Sequence, residues 1–465
     1  MFGLILSMIC ERLSDKKLLR LSQHRYSASG ATLLDPLMQR YWRWLVERVV
    51  PLWWSPNAMT LVGLACNIIT ACLLVYYSPD ARHSIPAWPL LLCAIGLFVY
   101  QTLDACDGKQ ARRTKTSSCL GELFDHGCDA VSTIFVSLSV CLSVQLGECV
   151  SLMLILQTMA CALFYMAHWQ TYVTGELKFA KFDVTEAQMT IIVIQVVSAI
   201  CGTDFWTYEI VHSVGLDLRV VVMLITAFNA IIIGCRYFTA IITCGVGKNG
   251  SSVAIPWLMH VKLQMIPTIF SICNEALILC TTLKQILSGG VGKNGSTVAD
   301  TSILSPLPAI VLSVVAALTI FFKSPSDVFS QHICLYLITF GLVTAKITNK
   351  LVVAQMSKSE ITKLDSVFIG PLLLFLNQYF NTIIDEYILL WVALVYILLD
   401  FLYYSYSTCN QIADYLKIRV LSIQYQRPPS THSSQSSVRN NGSADNSTNG
   451  RESRHRPYNL RPDKR

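Results

Sequence analysis

Windows of about twenty consecutive, mostly apolar residues recur along this chain, and no other feature constrains its fold as much. MTLVGLACNIITACLLVYY from Met59, SLMLILQTMACALFYMAHW from Ser151 and VVVMLITAFNAIIIGCRYF from Val220 are three of them. A helix rises about 1.5 Å per residue, so such a window crosses a hydrocarbon core while bonding every backbone group internally. Only 14% of the residues are charged, against about 25% in soluble domains. About ten or eleven windows qualify, which predicts an all-α, polytopic transmembrane helical bundle. The 17 cysteines lie mostly singly in apolar segments and read as packing residues, not as disulfides or a zinc site. MFGLILSMIC is short with its positive charges behind it, so the first true span is expected to direct insertion. The net charge of +7 suits an anionic membrane surface, and nothing in the pattern suggests nucleic-acid readout.

Residues 1–56 form a cytosolic N-terminal segment. In LLDPLMQRYWRWLVERVV, Leu34, Leu37, Met38, Tyr41, Leu45 and Val49 recur at helical spacing, opposite Arg40, Arg43 and Glu47. With Trp42 and Trp44 this predicts an amphipathic helix, lying in the membrane interface or packed on neighbouring spans. Arg12, Lys16, Lys17, Arg20, Arg40, Arg43 and Arg48 precede the first span, and Lys109, Arg112, Arg113 and Lys115 follow the second. Both groups place the same face in the cytosol.

Residues 57–425 carry the spans. GVGKNGSSVA at Gly245–Ala254 returns as GVGKNGSTVA at Gly290–Ala299, with weaker similarity upstream. The 45-residue duplication around 210–299 reads as a local event, since two membrane segments do not make a solenoid. One added span would invert every later loop, so the second copy is not expected to span in the ordinary way. Residues 426–465, rich in Ser, Asn, Arg and Pro, read as a disordered basic tail; the sequons at Asn441 and Asn446 would stay unglycosylated in the cytosol.

Against this background QTLDACDGKQARRTKTSSCLGELFDHGCDA, residues 101–130, sets four aspartates beside membrane spans. Asp104, Asp107 and Ala111 share one face of a helix; Gly121, Asp125 and Asp129 share one face of the next, after the turn RTKTSSC. Gly108, Ala111 and Gly121 are small enough for close helix approach. A solvated loop would explain any one acid, but ionisable groups at membrane depth in this spacing point to function. Hard oxygen donors suit Mg²⁺ or Mn²⁺, and a two-metal site would stabilise a phosphoryl displacement. Arg112 is within reach of a phosphate oxygen.

Asp104-x-x-Asp107-Gly108-x-x-Ala111-Arg112, eight residues, then Gly121-x-x-x-Asp125-x-x-x-Asp129 resembles the CDP-alcohol phosphotransferase signature at every defined position. GELFDHGCDA, with AHWQTYVTG at Ala167 and KITNKLVVAQM at Lys346, resembles the choline/ethanolamine phosphotransferase branch, and the likeness runs from about Leu18 to Tyr425. The resemblance implies transfer of a phosphoalcohol from CDP-choline or CDP-ethanolamine to diacylglycerol, releasing CMP in an endoplasmic-reticulum or Golgi membrane with the site facing the cytosol. It implies Asp104, Asp107, Asp125 and Asp129 as metal ligands; Glu122, one residue from Gly121 at the same rim, is a further candidate by position. It implies Asn57, of Ser55-Pro56-Asn57, with Gly108, Ala111, Arg112 and Gly121 for the CDP-alcohol; a helix start is itself an anion site, although these residues could simply cap the helix. A homodimer is the family's expected assembly.

His126 titrates near neutral pH and sits beside Asp125, three residues before Asp129, which makes it the candidate base. Two other roles stay open: His126 steering Asp129, or Asp129 itself as the base. His168, Trp169, Gln170 and Tyr172 end their span as an aromatic belt or as a cover for a quaternary ammonium, the belt being favoured. Asp183, Thr185 and Glu186 read as a cap of the next span. Two other readings of the whole chain are a cation-coupled transporter and an inactive relative that keeps the acids as a scaffold.

Overall fold

A computed structural model describes residues 12–178, 183–211, 216–244, 246–247, 290–291, 305–362 and 364–423. The opening MFGLILSMIC, most of the duplicated segment, and the tail with its two sequons lie outside them. Two short helices, α1 (Asp15–Gln23) and α2 (Asp35–Arg48), precede α3 (Pro56–Tyr77), α4 (Ala87–Thr114), α5 (Cys119–Ser143), α6 (Val150–Thr174), α7 (Val184–Cys201) and α8 (Leu218–Cys244). After the duplication come α9 (Leu307–Lys323), α10 (Val328–Gln331), α11 (Ile333–Met356), α12 (Ile369–Tyr379) and α13 (Glu386–Leu416). Among the described residues eight helices are long and apolar enough to cross a membrane, and α9 and α12 are shorter apolar helices. The chain is an all-α, multi-pass membrane bundle.

Local chemistry sets the helix ends. Pro56 opens α3, and Ser118 caps α5 by accepting from the Gly121 N–H at 3.2 Å. Asp183 and Glu186 form a capping box on α7, as expected of them, and the Glu186 carboxylate also accepts from the Leu34 N–H at 2.8 Å. Lys115 and Gly175, both at positive φ, end α4 and α6.

At the centre runs α11, 89% of whose apolar window is buried, against 13% for α8 at the rim. It packs on α5, α6 and α13, while α4 lies between α3 and α7. Close helix contacts need glycine at Gly341 of α11, where a methyl would stand 2.8 Å from Ile134, and at Gly96 of α4, where one would stand 2.5 Å from the Thr70 hydroxyl. The outward residues, Ile69, Ile95, Phe228 and Val392 among them, are exposed and apolar, as lipid contact requires.

The amphipathic helix forms, but its buried stripe is Met38, Trp42 and Val46, packed with Val50, Met59 and Cys106. The predicted stripe is rotated from this one, and Leu37 and Val49 are exposed. The reason is tertiary. The Lys109 ammonium lies 5.2 Å from the Trp42 ring centre, and Arg113 donates to the Val46 and Val50 carbonyls at 2.5 and 2.8 Å, closing the C-terminal end of α2. Exposed Leu37 and Trp44 remain on the outward side.

Among the described residues, three ladders of two or three residues complete the fold. β1 (Ala28–Ser29) pairs in parallel with β2 (Leu177–Lys178), which ties the N-terminal strap to the end of α6. β3 (Glu209–Val211) and β4 (Leu216–Asp217) pair antiparallel. β5 (Val246–Gly247) pairs antiparallel with β6 (Gly290–Val291), so the starts of the two repeat copies lie side by side.

Candidate active site

Helix α4 carries Asp104 and Asp107 on the face that also holds Tyr100, and α5 carries Asp125 and Asp129 on the face turned toward it. Asp104 and Asp107 each lie close enough to Asp125 and Asp129 for their charges to interact. Asp107 accepts from the Thr60 hydroxyl at 2.5 Å, and Asp129 accepts from the Tyr100 phenol. One carboxylate oxygen each of Asp104 and Asp125 is buried without a hydrogen-bond partner.

Four carboxylates this close repel one another. Two unit charges about 4 Å apart interact by about 4 kcal/mol at an effective dielectric near 20. Buried oxygens with no donor add a desolvation cost, and a cation relieves both. Asp125, His126 and Asp129 offer ligand atoms all within 4.8 Å of one another. The donor set therefore fits a hard divalent cation.

His126 is buried, with Nδ1 3.8 Å from Asp129 Oδ2 and 4.0 Å from Asp125 Oδ2. Glu122 is drawn elsewhere: its carboxylate lies 3.0 and 3.1 Å from Nε2 of His24 on the strap. Asn57 sits against Gly121, where an added methyl would meet Asn57 Oδ1 at 3.6 Å, and its amide donates to the Val420 carbonyl at 2.8 Å. Ser55 makes no side-chain capping bond, so the start of α3 is not closed by it. The exposed guanidinium of Arg112 folds back over Gly108, with Nη1 3.6 Å from a methyl placed there. Ala111 lies one turn from Gly108 on the same helix and is half-buried.

The end of α6 differs from the favoured aromatic belt. His168, Trp169, Gln170 and Tyr172 are 3%, 2%, 0% and 6% exposed, so they face the bundle interior. The strap crosses this end of α6 through the β1–β2 ladder, and Tyr172 donates to the Ser359 carbonyl beyond α11 at 3.2 Å. Their sequence reads as a belt because covering by a segment more than a hundred residues away leaves no local trace.

Two residues of the site escape the sequence reading. Tyr100 lies four residues before Asp104, on the face shared by Asp107 and Ala111, and that spacing is the signal that finds it. Thr60, three residues after Asn57, shows the same kind of signal on α3. From KITNKLVVAQM, Asn349 packs on α5 at Gly127, where a methyl would stand 3.3 Å from its amide nitrogen. Lys346 is bound to Asp400 at 2.5 Å and Asp365 at 2.8 Å in the bundle core.

Fold and site together define a class: a polytopic helical membrane protein that presents four carboxylates to one gap between consecutive helices. The sequence profile described as CDP-alcohol phosphatidyltransferase matches residues 53–232. Over nearly all its length the chain is similar to cholinephosphotransferase 1 of Danio rerio, 46% identical over 416 residues that cover 90% of this chain and 97% of the relative. The proteins of the same name from Xenopus laevis and Homo sapiens are 47% and 41% identical. Their matches cover 89% and 91% of this chain and 92% and 93% of the relatives. The chain belongs to the CDP-alcohol phosphatidyltransferase family.

Proposed function

We propose that the protein transfers phosphocholine from CDP-choline to diacylglycerol, forming phosphatidylcholine and CMP. The observation that carries this reading is the convergence of Asp104, Asp107, Asp125 and Asp129, two of them with unpaired buried oxygens, in a chain so similar to cholinephosphotransferases. A cation-coupled transporter fits less well, because its acids would spread along a path to the bilayer midplane.

The four aspartates would hold Mg²⁺ or Mn²⁺, with the two-ion set of the family, and Glu122 is the remaining candidate. The bound metal would neutralise charge on the diphosphate. Asn57, Gly108, Ala111, Arg112 and Gly121 form the place for the CDP-alcohol, the small residues allowing close approach and Arg112 pairing with phosphate. Thr60 and Tyr100 hold Asp107 and Asp129 in place. His126 accepts the proton of the diacylglycerol hydroxyl as its oxygen bonds to the phosphorus bearing choline. The phosphorus–oxygen bond to CMP breaks, and CMP leaves with the electron pair. Asp129 as the base is the competing assignment. CDP-ethanolamine is a second donor in this reading, the enzyme works as a homodimer, and the site faces the cytosol of the endoplasmic reticulum or Golgi.

Purified protein in diacylglycerol micelles should release CMP from CDP-choline, lose this with EDTA and regain it with Mg²⁺ or Mn²⁺. CDP-ethanolamine in parallel ranks the donors, and the Asp129→Ala variant should be inactive. Normal turnover in His126→Ala would end the histidine's role as base. A folded wild-type chain with no diacylglycerol-dependent release would refute the reaction.

A further inference from the structure

The chain that follows α13 turns back toward the site. Lys417, at φ +55°, ends the helix in the left-handed region, and the Ile418 N–H donates back to the Ala413 carbonyl at 3.0 Å. The turn sets Ile418 and Val420 on an apolar cluster with Leu21 of α1, Leu120 and Leu123 of α5 and Met356 of α11. Arg419 between them is exposed, so the two apolar side chains seat the segment. That seat includes the first turns of α5, the helix that carries Asp125 and Asp129.

From this seat the Val420 carbonyl accepts from Asn57 Nδ2 at 2.8 Å, across 363 residues of sequence. Asn57 shares its face of α3 with Thr60, three residues on, which donates to Asp107. The bond to Val420 decides which end of the Asn57 amide the site receives. A carbonyl oxygen can only accept, so it holds the amide nitrogen and leaves Oδ1 on the side of Gly121, where an added methyl would meet it at 3.6 Å. Asn57 therefore offers the site an acceptor. A phosphate oxygen needs a donor and gains nothing from it. CDP-choline carries its hydrogen-bond donors only on the nucleoside, as the cytosine amine and the ribose hydroxyls, because the ionised diphosphate and the quaternary ammonium have none.

Resting on the reading of Asn57 as a contact of the CDP-alcohol, we propose that residues 418–420 are a positioning segment, which holds the Asn57 carboxamide with its oxygen toward the nucleoside and so sets the affinity for the donor. The terminal torsion of an asparagine is soft. Released from Val420, Asn57 presents oxygen and nitrogen by turns, and the contact weakens.

The test uses full-length protein with Mg²⁺ in diacylglycerol micelles and a double variant, Ile418→Ser with Val420→Ser, which removes the apolar seat without adding charge. The expected result is a KM for CDP-choline raised about tenfold, the equivalent of one hydrogen bond, with kcat and the KM for diacylglycerol unchanged. CMP carries the same nucleoside, so its inhibition constant should rise by the same factor. In an Asn57→Ala background the same two substitutions should add less than about twofold, because the segment acts through Asn57. Arg419→Ala, which leaves the seat and the carbonyl in place, should match wild type. A wild-type KM for CDP-choline in the double variant overturns the proposal, as do losses that multiply in the Asn57→Ala background. An Arg419→Ala variant with the same raised KM also overturns it, since a side chain would then make the contact. Should the double variant fail to fold, Val420→Ser in the same cycle decides. Thermal stabilisation by CMP reads the contact without turnover. If wild type shows no turnover, the proposed reaction fails; CMP stabilisation weakened in the double variant still supports the segment's role, and equal stabilisation in both proteins refutes it.

Discussion

Lys346 lies in the bundle core, its ammonium 2.5 Å from Asp400, 2.8 Å from Asp365 and 2.8 Å from the Ser366 hydroxyl. Lys350 completes the group at 2.7 Å from Asp365, so two cations meet two anions and the sum is neutral. These four side chains are only 2–10% exposed, which leaves little solvent screening. Lys346→Met keeps the bulk and removes the charge. Lys350 still balances Asp365, but Asp400 then keeps only the Ser366 hydroxyl, at 2.9 and 3.0 Å, from this group. Breaking a buried pair by removing one partner costs about 3–5 kcal/mol, most of it from the stranded charge. Adding Asp400→Asn removes that charge, so the double variant should regain most of the loss. Unfolding of purified protein by SDS titration in bicelles, read on wild type, both single variants and the double, closes the cycle. The expected coupling is at least about 2 kcal/mol in favour of the double variant. Additive losses would refute the reasoning, because they would mean that neither charge depends on the other.

Further predictions concern the active site and the packing. Tyr100→Phe removes a hydrogen bond to the Asp129 carboxylate, worth about 1.5–3 kcal/mol, and should lower turnover roughly tenfold to a hundredfold with little change in melting; wild-type turnover would deny Tyr100 its role. Gly341→Ala places a methyl 2.8 Å from Ile134 and should destabilise the protein by about 1–3 kcal/mol by the same SDS titration. At Asp365, burial raises the carboxyl pKa, but the ammoniums of Lys350 and Lys346 outweigh it and hold the group below its ordinary range. A folded pKa below the unfolded value of about 3.9 gives stabilisation that is complete above that value and lost as pH falls through the folded one. Below about pH 4, wild type should therefore lose more stability than Asp365→Asn, and equal losses in the two would contradict this.

The sequence alone determined the elements and their chemistry. Twenty-residue apolar windows admit only helices in a bilayer, because no water is there to bond an open backbone. Helical periodicity likewise placed Asp104 with Asp107 and Asp125 with Asp129, since residues three or four apart share a face whatever the surroundings. The tertiary structure decided which faces meet. Trp42 turns inward because Lys109 and Arg113, more than sixty residues on, bind it and the end of its helix. His168 belongs to a polar cavity and not a belt because the strap and Gln355 enclose it. Glu122 pairs with His24, 98 residues away, a partner that its place beside the motif gives no sign of. Local spacing fixes the direction of a side chain about its own helix; its partner depends on which distant segment packs there, and only the packed bundle specifies that.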